Sequence, residues 1–210
     1  MTRVVILKYG MGNIDSVVRA VEECGGHPAV AEGPRDLDRA THIILPGVGA
    51  YPQGIGHLRS RGFPGALEEA VMSRGIPLLG ICLGMQFLAT LSREGGETPG
   101  FGWIPGEVVR LVPSSPAERV PHIGWNNVFP EGSPEIFAGI PREKDFYFVH
   151  SYHFACRDRD AVIATTPYCG TFASAVRKEN VIGVQFHPEK SQKAGFRLLR
   201  NFISLERTHA

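Results

Sequence analysis

The chain has 210 residues, with 22 Lys and Arg against 21 Asp and Glu and a formal charge of +1. That balance argues against a nucleic-acid binder working through bulk electrostatics and against an acidic solvating tail. Hydrophobic residues at 43% and charged ones at 20% exclude wholesale disorder, and no apolar run approaches the roughly 18 residues of a transmembrane helix.

The opening residues, MTRVVILKYG, hold only a short apolar stretch and no small-residue cleavage site. No secretory signal is expected, and a reducing cytoplasm is the expected setting. Residues 4–7 are a continuous apolar run, as in a strand covered on both faces. A helix is predicted over 14–24, with Ile14, Val17, Val18 and Val21 on one stripe and Gly25 and Gly26 ending it. Residues 42–45 form a second buried strand, stopped by Pro46 and Gly47. Helical segments follow at 57–61 and 64–74, then a strand over 77–81 and a helix from 83 to about 91. Strands alternating with helices at these lengths imply a parallel sheet with helices on both faces.

The second half reads mostly as strands, at 107–112, 122–128, 145–152, 161–166, 172–178 and 181–186. Glu179 and Asn180 join the last two as a hairpin. A helix over 193–205 closes the series. Residues 113–116, PSSP, form a loop too short to be an interdomain linker. Residues 1–210 are therefore read as a single α/β domain with a mixed, mostly parallel central sheet flanked by helices.

Cys24, Cys156 and Cys169 are read as structural thiols, because a free Cys behaves as a small hydrophobe. Cys82 differs. A strand, then Gly80-Ile81-Cys82-Leu83-Gly84, then a helix is the G-x-nucleophile-x-G elbow with Cys in the place of Ser. Such a turn sets the thiol at the positive end of a helix, which favours thiolate, and aims the Leu83 amide at a developing oxyanion. A cysteine nucleophile needs a base and a group to orient it. Val184-Gln185-Phe186-His187-Pro188-Glu189 supplies both: in an extended segment His187 and Glu189 face one site, and Pro188 holds that alignment. Pro46-Gly47-Val48-Gly49 ends the second buried strand on the same sheet edge, where open α/β sheets hold their sites. Two glycines around Val48 let a peptide turn over and offer its N–H to an oxyanion.

Other motifs fail. Gly10-Met11-Gly12-Asn13 lacks the third glycine of a dinucleotide fingerprint, because Asp15 stands there. His150 and His153, three apart on an expected strand, face opposite sides, so no metal site is expected, and no cofactor is implied.

GICLGMQFLA and GVQFHPEKS resemble the class I (triad) glutamine amidotransferases, a resemblance that covers nearly the whole chain. KYGMGNIDSV, LPGVGAY, PHIGWN, YFVHSY and ASAVRK are similar to one branch, the glutaminases that serve imidazole glycerol phosphate synthase in histidine biosynthesis. The resemblance implies a flavodoxin-like core. It makes Cys82 the nucleophile, His187 the general acid/base and Glu189 its orienting partner. Gly47, Val48, Gly49 and Leu83 become the oxyanion segment, and Gly49, Gln86, Glu94, Ser151 and Tyr152 the glutamine contacts. Asn13, Trp125 and Lys190 fall at the interface with a cyclase subunit, a (β/α)₈ barrel expected as heterodimer partner and ammonia acceptor. Three rivals stay open: a glutaminase for another synthase (anthranilate, GMP or pyridoxal phosphate), a stand-alone cysteine hydrolase, and a non-catalytic binding module on the same fold.

Overall fold

Four consecutive buried residues, Val4 to Leu7, make β1 (Arg3–Leu7) a strand covered on both faces. The structure is a computed structural model that describes residues 2–207. In chain order there follow α1 (Ile14–Glu23), β2 (His27–Ala31), β3 (His42–Gly47), α2 (Tyr51–Ser60), α3 (Phe63–Glu68), β4 (Leu78–Cys82) and α4 (Leu83–Gln86). The second half holds β5 (Leu91–Ser92), β6 (Thr98–Pro99), β7 (Gly106–Arg110), β8 (His122–Pro130), β9 (Lys144–His150) and β10 (Tyr152–Cys156). It ends with β11 (Val162–Thr166), β12 (Phe172–Lys178), β13 (Val181–Val184) and α5 (Gln192–Ile203).

The main sheet runs in the order β2-β1-β3-β4-β13-β12-β11-β8-β9. It is parallel from β2 to β13 and antiparallel from there to β9. Side-chain alternation along β1 divides the interior. Val4 and Ile6 pack with Val17 and Val21 of α1 and with Leu198, Leu199 and Phe202 of α5. Val5 and Leu7 face the other way, towards Ile55 and Leu58 of α2 and Phe63 and Leu67 of α3. The single α/β domain with a mixed sheet flanked by helices is the expected fold. A smaller sheet, β10-β7-β5-β6, lies beside it; it was not foreseen, because two of its strands are only two residues long.

Several boundaries differ from expectation. Strand β2 was missed because HPAVA carries a proline and leaves Val30 exposed, the marks of an edge strand. Pro46 and Gly47 do not stop β3; they pair with Ile81 and Cys82 of β4. Proline is tolerated there because β1 pairs with β3 only as far as Ile44, so one edge of Pro46 has no ladder bond to lose. Helix α2 begins at Tyr51, well before the expected 57, and the helix after Glu68 widens into a π turn over Glu69–Ser73. The strand expected over 145–152 breaks at Ser151, with β9 in the main sheet and β10 in the small one. The chain thus changes sheets at Ser151.

Candidate active site

Strand β4 delivers Cys82 to the carboxyl edge of the parallel strands with φ 54 and ψ −107, a conformation that L residues rarely adopt. The glycines around it are there for space. A Cβ on Gly84 would overlap the Leu45 carbonyl oxygen of β3, and one on Gly80 would lie 2.7 Å from the Gly84 carbonyl carbon. The helix expected to run to about residue 91 is a single turn, Leu83–Gln86. Its continuation is prevented because Phe101, Ile104, Gly102 and Gly100 take the carbonyls of Phe87, Leu88, Ala89 and Thr90 with their amide hydrogens. A helix this short has little macrodipole. The free N–H groups of its first turn, beginning with Leu83, are what it offers an anion.

Strand β13 lies beside β4, with Val184 opposite Ile81. The chain then continues through Gln185 and Phe186 to His187, whose amide donates to the Tyr147 carbonyl at 2.9 Å. Nδ1 of His187 meets Oε1 of Glu189 at 2.8 Å, both side chains being 3% exposed. The pairing does not come from an extended H-P-E segment, as expected: only His187 is extended, and Glu189 sits in a 3₁₀ turn, Pro188–Lys190, that folds the carboxylate back. Burial alone lowers the His187 pKa. The charge of the adjacent Cys82 thiolate and the Glu189 carboxylate outweigh it, and the pKa is raised to about 10. Nε2 of His187 and Oε2 of Glu189 are buried without a hydrogen-bond partner.

Cys82 lines a cleft of about 270 Å³ together with Val48, Gly49, Leu83, Gln86, Glu94, Ser151 and Tyr152. His187 does not line it; its ring is buried and interacts with the Cys82 sulfur. Gly47 also stays out of the lining and pairs with Cys82 across β3 and β4. Glu94 is held by its Oε2, which accepts from the Tyr51 amide at 2.9 Å, and by its own amide on Ser92 Oγ at 3.1 Å. Asn13 is exposed and caps α1 by accepting from the Ser16 amide at 3.4 Å. Trp125 is 48% exposed and Ile123, two residues earlier, is 60% exposed. Lys190 lies over the Tyr147 ring at 5.7 Å, and the same ring meets Trp125 edge-on. Helix α1 packs on the Pro188–Lys190 turn, so Asn13 belongs to the same side of the sheet.

Two site features escaped sequence reading. His150 and His153 do not oppose each other across one strand; the chain breaks between them and both rings approach Phe172. His150 instead bonds His122, Nε2 to Nδ1, at 3.0 Å. Its Nδ1 faces the Tyr152 carbonyl at 2.9 Å, and since a carbonyl only accepts, the proton is on Nδ1. His122 must then donate to His150 and accept from Asn126 Nδ2. Both rings are neutral in this chain, and burial lowers their pKa values to about 4 for His122 and about 3 for His150. The unfolded chain takes up these protons near pH 6.5, so stability is full above that and falls as pH drops towards 4, by at most about 1.4 kcal/mol per pH unit for each ring. Unfolding free energies from urea titrations should fall with that slope from pH 6.5 to 4.5, and His122→Phe should flatten it; an unchanged slope would remove His122 from the account. The second feature is Gln185, a fully buried polar residue in the otherwise apolar run VIGVQF. That anomaly was the signal available.

The family model for glutamine amidotransferase class-I matches residues 5–205. The imidazole glycerol phosphate synthase subunit HisH of Moorella thermoacetica is 46% identical over 208 residues, covering 99% of this chain and 97% of its own. The subunit of the same name from Cereibacter sphaeroides is 44% identical, covering 95% and 97%. Among solved structures, PurLQS from Thermotoga maritima superposes with a TM-score of 0.75 at 20% identity, covering 96% of this chain and 97% of its own. At that identity it is the fold that is shared.

Proposed function

The chain belongs to the class-I glutamine amidotransferase family, and from that premise we propose how its residues divide the work. It acts as the glutaminase subunit of an imidazole glycerol phosphate synthase, in histidine biosynthesis, releasing ammonia from L-glutamine for a cyclase subunit. The observation that carries the residue assignment is the strained Cys82 on the cleft wall with a buried imidazole–carboxylate pair behind it.

Glutamine enters the 270 Å³ cleft with its α-carboxylate on the backbone at Ser151 and Tyr152 and its α-ammonium towards Glu94, which the Tyr51 amide holds in place. Gln86 contacts the substrate along the same wall. The Cys82 thiolate attacks the side-chain amide carbon. Negative charge moves to the amide oxygen, where the Leu83 N–H and the peptide between Val48 and Gly49 receive it. Gly49, at φ +107, leaves that peptide free to turn, and Gly47 anchors it to β4. His187 as imidazolium gives its Nε2 proton to the departing nitrogen, and ammonia leaves. Water, deprotonated by the now neutral imidazole, attacks the thioester and frees glutamate and thiolate. Glu189 holds Nδ1–H throughout, so that Nε2 always faces the sulfur. None of these steps calls on a cofactor.

Ammonia that reaches bulk water is lost as ammonium, so the glutaminase docks against its acceptor. The cyclase is a (β/α)₈ barrel, met as a heterodimer through the side that bears Asn13, Trp125 and Lys190. Working in the cytoplasm fits this role; among the described residues no helix is long and apolar enough to cross a membrane.

Glutamate release by the isolated chain should be slow. Adding the cyclase with its nucleotide ligand should raise it by roughly 10²-fold, the usual worth of one oxyanion donor brought into line. A chain indifferent to the cyclase but stimulated by another synthase overturns the branch assignment.

A further inference from the structure

We propose that Gln185 sets the reactivity of Cys82 as its fixed hydrogen-bond donor, and that the Tyr152 carbonyl dictates which way its amide points. The proposal rests on Cys82 being the nucleophile and adds a residue to the machinery behind it.

A side-chain amide can be turned end for end without changing its shape, so its polarity must be read from its partners. Here one partner is unambiguous. The Tyr152 carbonyl can only accept, so the group of Gln86 that lies 2.9 Å from it is the NH₂. The same NH₂ lies 3.0 Å from Gln185, and its second hydrogen needs an acceptor there, which fixes Oε1 of Gln185 on that side. The NH₂ of Gln185 is thereby turned the other way, towards Cys82, and Nε2 stands 3.5 Å from Sγ. The chain from Tyr152 through Gln86 and Gln185 to the sulfur therefore has one permitted direction.

Gln185 is held rigidly for this. Its side chain is fully buried, and its backbone N–H donates to the Ser174 carbonyl at 2.9 Å, tying it to β12. The Val149 carbonyl, 3.9 Å from Sγ, can bond only the protonated thiol. The Gln185 N–H bonds more strongly to the thiolate, because a charged acceptor strengthens the bond. It thus favours the ionised sulfur and holds it in place while His187 stands free to serve the leaving group. Tyr152 also ends the His150–His122 chain. One carbonyl on the glutamine-binding wall therefore fixes the polarity of two buried networks.

The test is alkylation of Cys82 by iodoacetamide, followed by peptide mass spectrometry across pH, together with kcat and KM for glutamine. Variants are Gln185→Leu, which removes the donor at similar volume, and Gln185→Glu, which keeps an acceptor for Gln86 but places carboxylate oxygen at the sulfur. In Gln185→Leu the alkylation profile should move about one pH unit higher and kcat should fall about tenfold, with KM within twofold. Gln185→Glu should fall further in kcat at pH 7.5 and recover partly at lower pH, where a protonated carboxyl can donate. A purely structural role would raise KM while lowering kcat, or would lower the melting temperature, and would leave the alkylation profile in place; that outcome overturns the proposal. Cys82→Ser run alongside separates the premise: if it still hydrolyses glutamine, the nucleophile is misassigned, whatever Gln185 does.

Discussion

Cys82→Ala leaves a folded protein that releases no glutamate above background, a loss on the order of 10⁵-fold or more. The magnitude follows from what remains. Glu189 would still hold the His187 ring at Nδ1, but with no sulfur beside it there is no bond to glutamine to make and no thioester for water to attack. Cys24, Cys156 and Cys169 are free thiols, yet none lines the cleft, and burial pushes Cys156 up to about 12, where it is inert. A coupled glutamate assay on the variant with its cyclase decides the matter, and a residual rate near a hundredth of the parent's would place the nucleophile elsewhere. The same position carries a second expectation about stability. At φ 54 and ψ −107 an L side chain is strained, so Cys82→Gly should unfold at higher urea than Cys82→Ala, by about 1 kcal/mol. The protein then holds its thiol in place at a measurable expense in stability. Equal midpoints for the two variants would mean that the elbow is not strained.

The parts of the molecule legible in the sequence are those where local pattern and tertiary demand agree. Residues 4–7 and 42–45 are apolar throughout because they are covered on both faces, and the elbow could be read because its glycines answer to backbone contacts that no other residue permits. The misreadings arise where distant residues decide. Residues 87–90 look helical, but amides within residues 100–104 claim their carbonyls. Ser151 interrupts an apparently continuous strand because the chain must cross between sheets there, and that crossing is what brings Ser151 and Tyr152 to the cleft. Glu189 reaches His187 through a turn that the H-P-E spacing does not announce. The partners of His150 and Gln185 were invisible for the same reason: a hydrogen bond spanning 28 residues, or 103, leaves no local trace. What the sequence does carry is the anomaly, a polar residue within an apolar strand, without the partner that explains it.

Gly84→Ala should destabilise the protein by about 3 kcal/mol and remove most glutaminase activity, a methyl group doing harm out of proportion to its size. The new Cβ would overlap the Leu45 carbonyl oxygen, and this is backbone on backbone, with no rotamer into which either side can retreat. Leu45 is itself pinned, since it pairs with Gly80 in the β3–β4 ladder. The strain can be relieved only by lifting the first turn of α4 off β3. That movement carries Leu83 with it and takes its N–H away from the oxyanion position proposed for it, while Cys82 loses the geometry imposed from both sides. Gly56→Ala is the matched control. Gly56 lies inside α2, exposed, with nothing near its missing Cβ, so alanine there should stabilise by roughly 0.5–1 kcal/mol through helix propensity alone and leave activity untouched. If contact decides the outcome, urea unfolding shifts in opposite directions for the two variants and the glutamate assay falls only for Gly84→Ala. The same sign in both would mean that the elbow has more slack than the approach of Gly84 to β3 allows, and the positioning of Leu83 would then need another cause.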